Sequence, residues 1–146
     1  IGTALTPTFV ANTVYLTPFI VPGRMTLNQI RYRVGAAAAG VTGDIGIYSR
    51  SGDRIANGGA NSADFVTTGV KIVNMVGAPI MIEPGQYYAA TTSAGAGRPV
   101  VVNLAVAGIM KGVGSIAAVG GTTLPASVTP ALIVDGVWGL HMSLNE

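Results

Sequence analysis

The sequence predicts an all-β protein, a single domain folded as an antiparallel sandwich or barrel. Apolar residues alternate with polar ones along most of the chain, and no long window places them at helical spacing. Turn signals separate the candidate strands at intervals of roughly 8 to 12 residues, which is typical of sandwiches and barrels. The length of 146 residues is that of one domain with a core of its own.

The first predicted strand spans residues 14–21 and ends at a turn. Its bend is expected at Pro18. Pro22 followed by Gly23 suits the centre of a type II turn, in which the second residue takes a positive φ. The apolar positions of this strand are Val14, Leu16, Phe19 and Val21.

Strict alternation marks the second predicted strand, which passes through Ile30. Arg31 and Arg33 share the face opposite its apolar residues. Two arginines and otherwise scattered basic residues do not make the basic stripe that nucleic acid requires, so we expect no nucleic-acid partner. Residues 36–39 are four alanines, too short to nucleate a helix, and are expected to form a loop. Further strands are predicted at 44–49, 64–76, 80–82, 86–92, 99–106, 109–119 and 131–144. The strands at 64–76 and 86–92 are expected to be a pair joined through the turn Glu83-Pro84-Gly85.

The stretch GDIGIYSRSGDRIANGG, residues 43–59, has two interpretations. A calcium loop would need several oxygen ligands at close, regular spacing. Asp44 and Asp53 are too far apart to serve one such loop. We therefore predict a strand through Ile45 and Ile47, followed by a turn in which Gly52 takes a positive φ.

The chain lacks the residue sets that catalysis and cofactor binding need. It has no cysteine, and its one histidine, His141, cannot form a histidine-rich metal site. Asp135 and Ser143 are near His141 in sequence, but the members of a triad come from separate elements. We expect no enzymatic activity and no cofactor. No apolar run reaches the roughly 18 residues of a membrane-spanning helix, so we also expect no membrane insertion.

Charged residues make up only 10% of the chain, against about 25% in ordinary globular domains. So few charges predict a protein that buries much of its outer surface against neighbouring subunits. The segment VVNLAVAGIMKGVGSIAAVGG has no clean polar face, which favours a buried strand or subunit contact over a flexible arm. The candidate interface residues are Phe9, Val10, Val100, Val102, Leu104, Val106, Ile109, Val113 and Ile116.

Three aromatic residues are candidates for contact with a glycan. Tyr87 and Tyr88 are adjacent in a predicted strand, so their rings point to opposite faces. Trp138 is the third candidate. An outward ring suits contact with a sugar, and a subunit interface explains it equally well.

Several segments together resemble a module of bacteriophage virion surface proteins, found in tail-fibre-like and capsid decoration proteins. They are NTVYLTPFIVPGRMTLNQIRYRV, GDIGIYSRSGDRI, TTGVKIVN, IEPGQYYAATTS and GTTLPASVTPAL. The resemblance covers most of the chain. The matching positions are Asn12, Tyr15, Pro18, Phe19, Pro22, Thr26, Ile30, Gly46, Ile47, Tyr48, Gly69, Lys71, Pro84, Gly85, Tyr87 and Tyr88.

The resemblance implies a β-sandwich of jelly-roll type that assembles as a homotrimer in the virion. Residues 13–146 are expected to form the sandwich, and the uncharged residues 1–12 an extended N-terminal arm that adds a strand to a neighbour. The implied partners are major capsid or tail proteins and a glycan of the host surface. Low charge and the lack of a preceding collagen-like stalk lead us to expect a free-standing particle protein.

Two roles within this hypothesis stay open, a tail-fibre or receptor-binding part and a capsid decoration (cement) protein. Two other classes of function compete with it. A stand-alone carbohydrate-binding module predicts that the monomer binds glycans without a particle. An extracellular filament subunit that exchanges strands predicts that the purified chain forms fibres.

Overall fold

The computed structural model describes residues 11–95, 100–101, 113–116, 120–129, 134–136 and 142–145, and for some strand residues the backbone only. The described residues form β-strands and turns and contain no helix, so the predicted all-β class is confirmed. The strands are β1 (Val14–Val21), β2 (Met25–Leu27), β3 (Gln29–Ala36), β4 (Thr42–Ser49), β5 (Arg54–Asn57), β6 (Gly69–Asn74), β7 (Ile80–Ile82), β8 (Gly85–Ala94), β9 (Val100–Val101), β10 (Val113–Ile116), β11 (Val134–Gly136) and β12 (Met142–Asn145).

The strands form three sheets in which every pair is antiparallel. The largest has six strands in the order β11-β10-β1-β8-β4-β5. The second has the order β12-β3-β6, with β9 also paired to β3, and the third joins β2 to β7. β8 lies between β1 and β4, pairing Tyr87 with Phe19 on one side and with Ser49 on the other. This register positions the site described below.

The alternation predicted for β3 is confirmed. Ile30, Tyr32 and Val34 are buried, and Arg31 and Arg33 are exposed on the other face. One apolar cluster combines this inner face of β3 with side chains of β4 and of the β2–β7 pair. Each fully buried aliphatic side chain contributes roughly 1.5–3 kcal/mol to folding. The largest members are Tyr32, Phe65, Leu27, Ile30, Ile45, Ile47 and Ile82.

β4 is buried on both faces. Ile45 and Ile47 point into the first cluster, and Tyr48 points into a second cluster with Leu16 and Tyr88 on the opposite side of the sheet. The second cluster is covered by residues 120–129, which we call the strap. Strap residues Leu124 and Val128 are buried there, so the sheet has apolar contacts on both sides.

Three local predictions were wrong. The strand expected at 64–76 is shorter, because residues 63–66 form a turn that places Phe65 in the core. The strands predicted at 64–76 and 86–92 were expected to pair with each other through the turn at 83–85. They correspond to β6 and β8, which do not pair: β6 pairs with β3, and β8 pairs with β1 and β4. Gly23 does not take the positive φ of a type II turn.

Candidate functional site

Most of the predicted interface residues lie outside the described part of the chain. Val100 pairs with Ala36 at the start of β9. Val113 and Ile116 lie in β10, which is paired on both sides, by β1 and β11. The candidates outside the described residues are Phe9, Val10, Val102, Leu104, Val106, Ile109 and Trp138.

The two adjacent tyrosines of β8 point to opposite faces of the sheet, as their spacing predicts. Tyr88 belongs to the second apolar cluster, and only 9% of its surface is exposed. Tyr87 is partly buried and packs at the margin of the first cluster. Of the two predicted glycan contacts in the described residues, Tyr87 therefore offers the accessible ring.

Tyr87 lines an open cleft of about 690 Å³ between the turn after β4 and the start of β8. Cross-strand pairing of Ser49 with Tyr87 brings the two segments together. The volume falls within the range of about 300–1,000 Å³ found for small-molecule sites. The cleft is lined by Ser49, Arg50, Ser51, Gly85, Gln86 and Tyr87.

Two contacts fix the Tyr87 ring. The hydroxyl of Tyr87 donates a hydrogen bond of 2.8 Å to the carbonyl oxygen of Glu83. The ring also packs against Phe19, with centroids 6.0 Å apart and planes tilted by 33°. An aromatic side chain held by both a ring contact and a hydrogen bond of its hydroxyl loses little conformational entropy when a ligand binds.

The turn on the other side of the cleft is closed by hydrogen bonds within residues 49–53. Gly52 has φ of 94°, which confirms the predicted positive φ. The backbone N–H of Gly52 donates to the carbonyl of Ser49, and Ser49 N–H donates to the carbonyl of Asp53. The side chains of Ser49, Ser51 and Asp53 form a chain in which each oxygen–oxygen distance is 2.7 Å.

The hydroxyl protons of Ser49 and Ser51 are both used in hydrogen bonds within this turn. The Ser51 hydroxyl donates to the Asp53 carboxylate, so its only proton is used. The Ser49 hydroxyl must therefore donate to Ser51, and it also accepts from the backbone N–H of Asp53 at 3.1 Å. Both serine oxygens keep one free lone pair and no free proton. Toward the cleft they can only accept hydrogen bonds.

Asp44, from the same predicted stretch, serves a structural role that sequence reasoning missed. Its carboxylate is 1% exposed, inside the sheet rather than in a loop. One oxygen, Oδ2, accepts from Asn57 Nδ2 at 2.7 Å and from the backbone N–H of Leu124 at 2.9 Å. The carboxylate thereby fastens the strap to the sheet. The sequence signal that could have revealed this role is the presence of a charged residue within an apolar strand.

Other strap contacts surround this carboxylate. The Tyr48 hydroxyl donates to the carbonyl of Pro125 at 2.6 Å, and the side chain of Arg54 donates to the carbonyl of Leu124. The backbone N–H of Arg54 donates to Ala126 at 2.9 Å. Burial raises the pKa of the Tyr48 hydroxyl, while nearby Arg54 lowers it. Tyr48 thus stays protonated and able to donate over the neutral pH range.

A third feature is the outer face of the β12-β3-β6 sheet. In cross-strand register, Arg31 lies opposite Ile72 and Arg33 opposite Val70. The aliphatic side chains are exposed, Val70 to 63% and Ile72 to 51%. In the described part of the chain, β6 pairs with β3 and with no strand on its other side. This face offers aliphatic surface, two cations and an unpaired strand edge.

Neither a metal cluster nor a membrane span is found among the described residues. No three His, Asp or Glu side chains there come together in a way that could hold a metal ion. No described helix is long and apolar enough to cross a membrane. Comparison with known proteins found no matching family, curated protein or solved structure.

Proposed function

We propose that this chain is a non-enzymatic structural protein of a bacteriophage virion, displayed on the particle surface as a homotrimer of jelly-roll β-sandwiches. The observation that carries the proposal is the exposed aliphatic pair, Val70 and Ile72, on β6, which is an edge strand among the described residues. The apolar cluster shared by β3 and β4 supports the sandwich part. The sequence resemblance supports the virion part.

The exposed pair supports assembly because contiguous apolar surface on a domain often marks a site of contact with another protein. Strand β6 places Val70 and Ile72 two residues apart, on one face of the sheet. Charged residues are scarce in the whole chain, at 10%. A surface with these properties gains free energy when a neighbouring subunit covers it.

One edge of β6 has no partner strand among the described residues, and this edge also suits strand addition. An edge strand presents unpaired N–H and C=O groups along its free side. Residues 1–12 carry no charge and include β-branched residues, so they meet the needs of an added strand. In the proposed assembly this arm pairs with a neighbouring subunit, and capsid or tail proteins are the further partners.

Light scattering of the purified chain at two concentrations tests the assembly. We expect the mass of a trimer for the wild type, and a lower mass when Val70→Ser and Ile72→Ser are combined or when residues 1–12 are removed. Val76→Ser is the matched control, because Val76 is 62% exposed but lies outside β6. A wild-type monomer at both concentrations would contradict the assembly, and fibres would favour the filament subunit.

Immunogold electron microscopy tests the location. Antibodies against the chain are expected to label the surface of phage particles from a culture that produces it. Label confined to cells, or to cell-derived material free of particles, would contradict the virion role.

A stand-alone carbohydrate-binding module is the second candidate. The accessible Tyr87 ring in an open cleft favours it. It predicts that a monomer binds glycans with the same affinity whether or not particles are present.

A further inference from the structure

The cleft beside Tyr87 presents three kinds of group to one volume. Tyr87 supplies a fixed aromatic ring, held by Glu83 and Phe19. Ser49 and Ser51 supply oxygens whose protons are already used within the turn. Arg50 and Gln86 line the same cleft, and both carry N–H donors.

The serine oxygens restrict the chemistry of a ligand. They have lone pairs but no free protons, so only a ligand that donates hydrogen bonds can satisfy them. The guanidinium of Arg50 and the amide of Gln86 can in turn donate to ligand oxygens. A ligand that both donates and accepts through neighbouring groups meets these needs, and the hydroxyl is the group that does both.

The charges near the cleft balance. Arg50 is exposed and has no ion pair with any described residue, and the carboxylate of Asp53 lies in the same turn. Glu83 is paired with Arg24 at 3.0 Å on the exposed surface. With one cation and one anion in the turn, the cleft does not select for a strongly charged ligand.

We infer that this cleft binds a neutral saccharide. One sugar ring lies on the ring of Tyr87, its hydroxyls donate to the oxygens of Ser49 and Ser51, and its oxygens accept from Arg50. The inference goes beyond the virion role and does not depend on it, because every group named belongs to one subunit.

Saturation-transfer difference NMR tests the site with maltose, lactose and diacetylchitobiose as neutral probes, and sialyllactose as the acidic comparison. We expect saturation transfer to at least one neutral sugar. Transfer to sialyllactose should be no stronger than transfer to that neutral sugar. Arg50→Gln removes a charged donor and is expected to weaken binding roughly tenfold. Arg33→Gln is the matched control, since Arg33 is an exposed arginine on the other sheet, and should bind like the wild type.

Two further variants complete the test. Tyr87→Leu keeps an apolar side chain beside Phe19 but removes the aromatic ring, and we expect transfer to be lost. Ser51→Ala changes an exposed residue and removes one acceptor, so it tests the site even if Tyr87→Leu unfolds.

Three results would overturn the inference: no transfer to any neutral probe, equal binding by wild type, Arg50→Gln and Ser51→Ala, or a preference for sialyllactose. Light scattering of the same samples separates this outcome from the assembly. A monomer that binds sugar would contradict the trimer and support the saccharide site. A trimer that binds no sugar would support the trimer and contradict the saccharide site.

Discussion

Asp44 and Thr92 lie directly opposite each other on β4 and β8, and each holds a buried oxygen without a hydrogen-bond partner in the described structure. The two oxygens are Oδ1 of Asp44 and Oγ1 of Thr92. A buried polar atom that makes no hydrogen bond costs free energy of folding. The sheet tolerates this cost where Asp44 Oδ2 fastens the strap.

Thr92→Val should stabilise the protein. The change removes the unpartnered hydroxyl and keeps the branched shape of the side chain, so we expect the free energy of unfolding to rise by about 1 kcal/mol. Urea denaturation measures it. Thr91→Val is the matched control in the same strand. The Thr91 hydroxyl donates to the carbonyl of Asp44 at 3.2 Å, so its loss should lower stability by a similar amount. Equal effects of both variants would contradict the assignment of Thr92 Oγ1 as a buried oxygen without a hydrogen-bond partner.

Asp44→Ala should release the strap. The substitution removes the acceptor for Leu124 N–H and for the Asn57 side chain, at an expected cost of roughly 2–4 kcal/mol. Hydrogen exchange followed by NMR should show the Leu124 amide exchanging much faster than in the wild type. Asp53→Ala, at an exposed turn position, should leave that amide protected. Unchanged protection in Asp44→Ala would show that the strap is held by other contacts.

Stability should decline at alkaline pH because of Tyr48. Burial makes the pKa of its hydroxyl higher in the folded state than the value of about 10 in the unfolded chain. The contribution of the protonated Tyr48 hydroxyl to the free energy of unfolding is therefore complete below about pH 10 and is lost as the pH rises toward the folded pKa. Urea unfolding at a series of alkaline pH values should show a shallower decline in Tyr48→Phe. The same slope in both proteins would contradict this origin.

Gly46→Ala should destabilise the sheet. A Cβ atom at Gly46 would overlap the carbonyl oxygen of Ala56 on β5, and the backbone must shift to admit it. We expect a loss of roughly 1–3 kcal/mol by thermal or urea unfolding. Gly23→Ala is the control, because no atom lies within 4 Å of its Cβ position and its φ is not positive. Its stability should stay within about 0.5 kcal/mol of wild type.

The sequence predicted those features that depend on neighbouring residues. The alternation in β3 correctly separated the buried Ile30 and Tyr32 from the exposed Arg31, because one face of that strand meets the core. The opposite faces of Tyr87 and Tyr88 followed from their adjacency in a strand.

Features that depend on distant segments were not predictable in this way. β4 is buried on both faces because the strap covers it, and no local period encodes a segment so far along the chain. The cleft arises from the pairing of Ser49 with Tyr87, which is a matter of strand order and register. For the same reason, the hydrogen bond between Asp44 and the backbone of Leu124 could not be predicted from the sequence around Asp44.

The separation of 80 residues between Asp44 and Leu124 bears on how the protein is made. When β4 leaves the ribosome, the segment that covers its second face has not been synthesised. Until then Tyr48 and the Asp44 carboxylate lack their final partners, and the sheet exposes apolar surface open to aggregation. Contacts so distant in sequence also slow folding, since a long loop must close before they form. The docking of the strap is therefore expected to come late in folding.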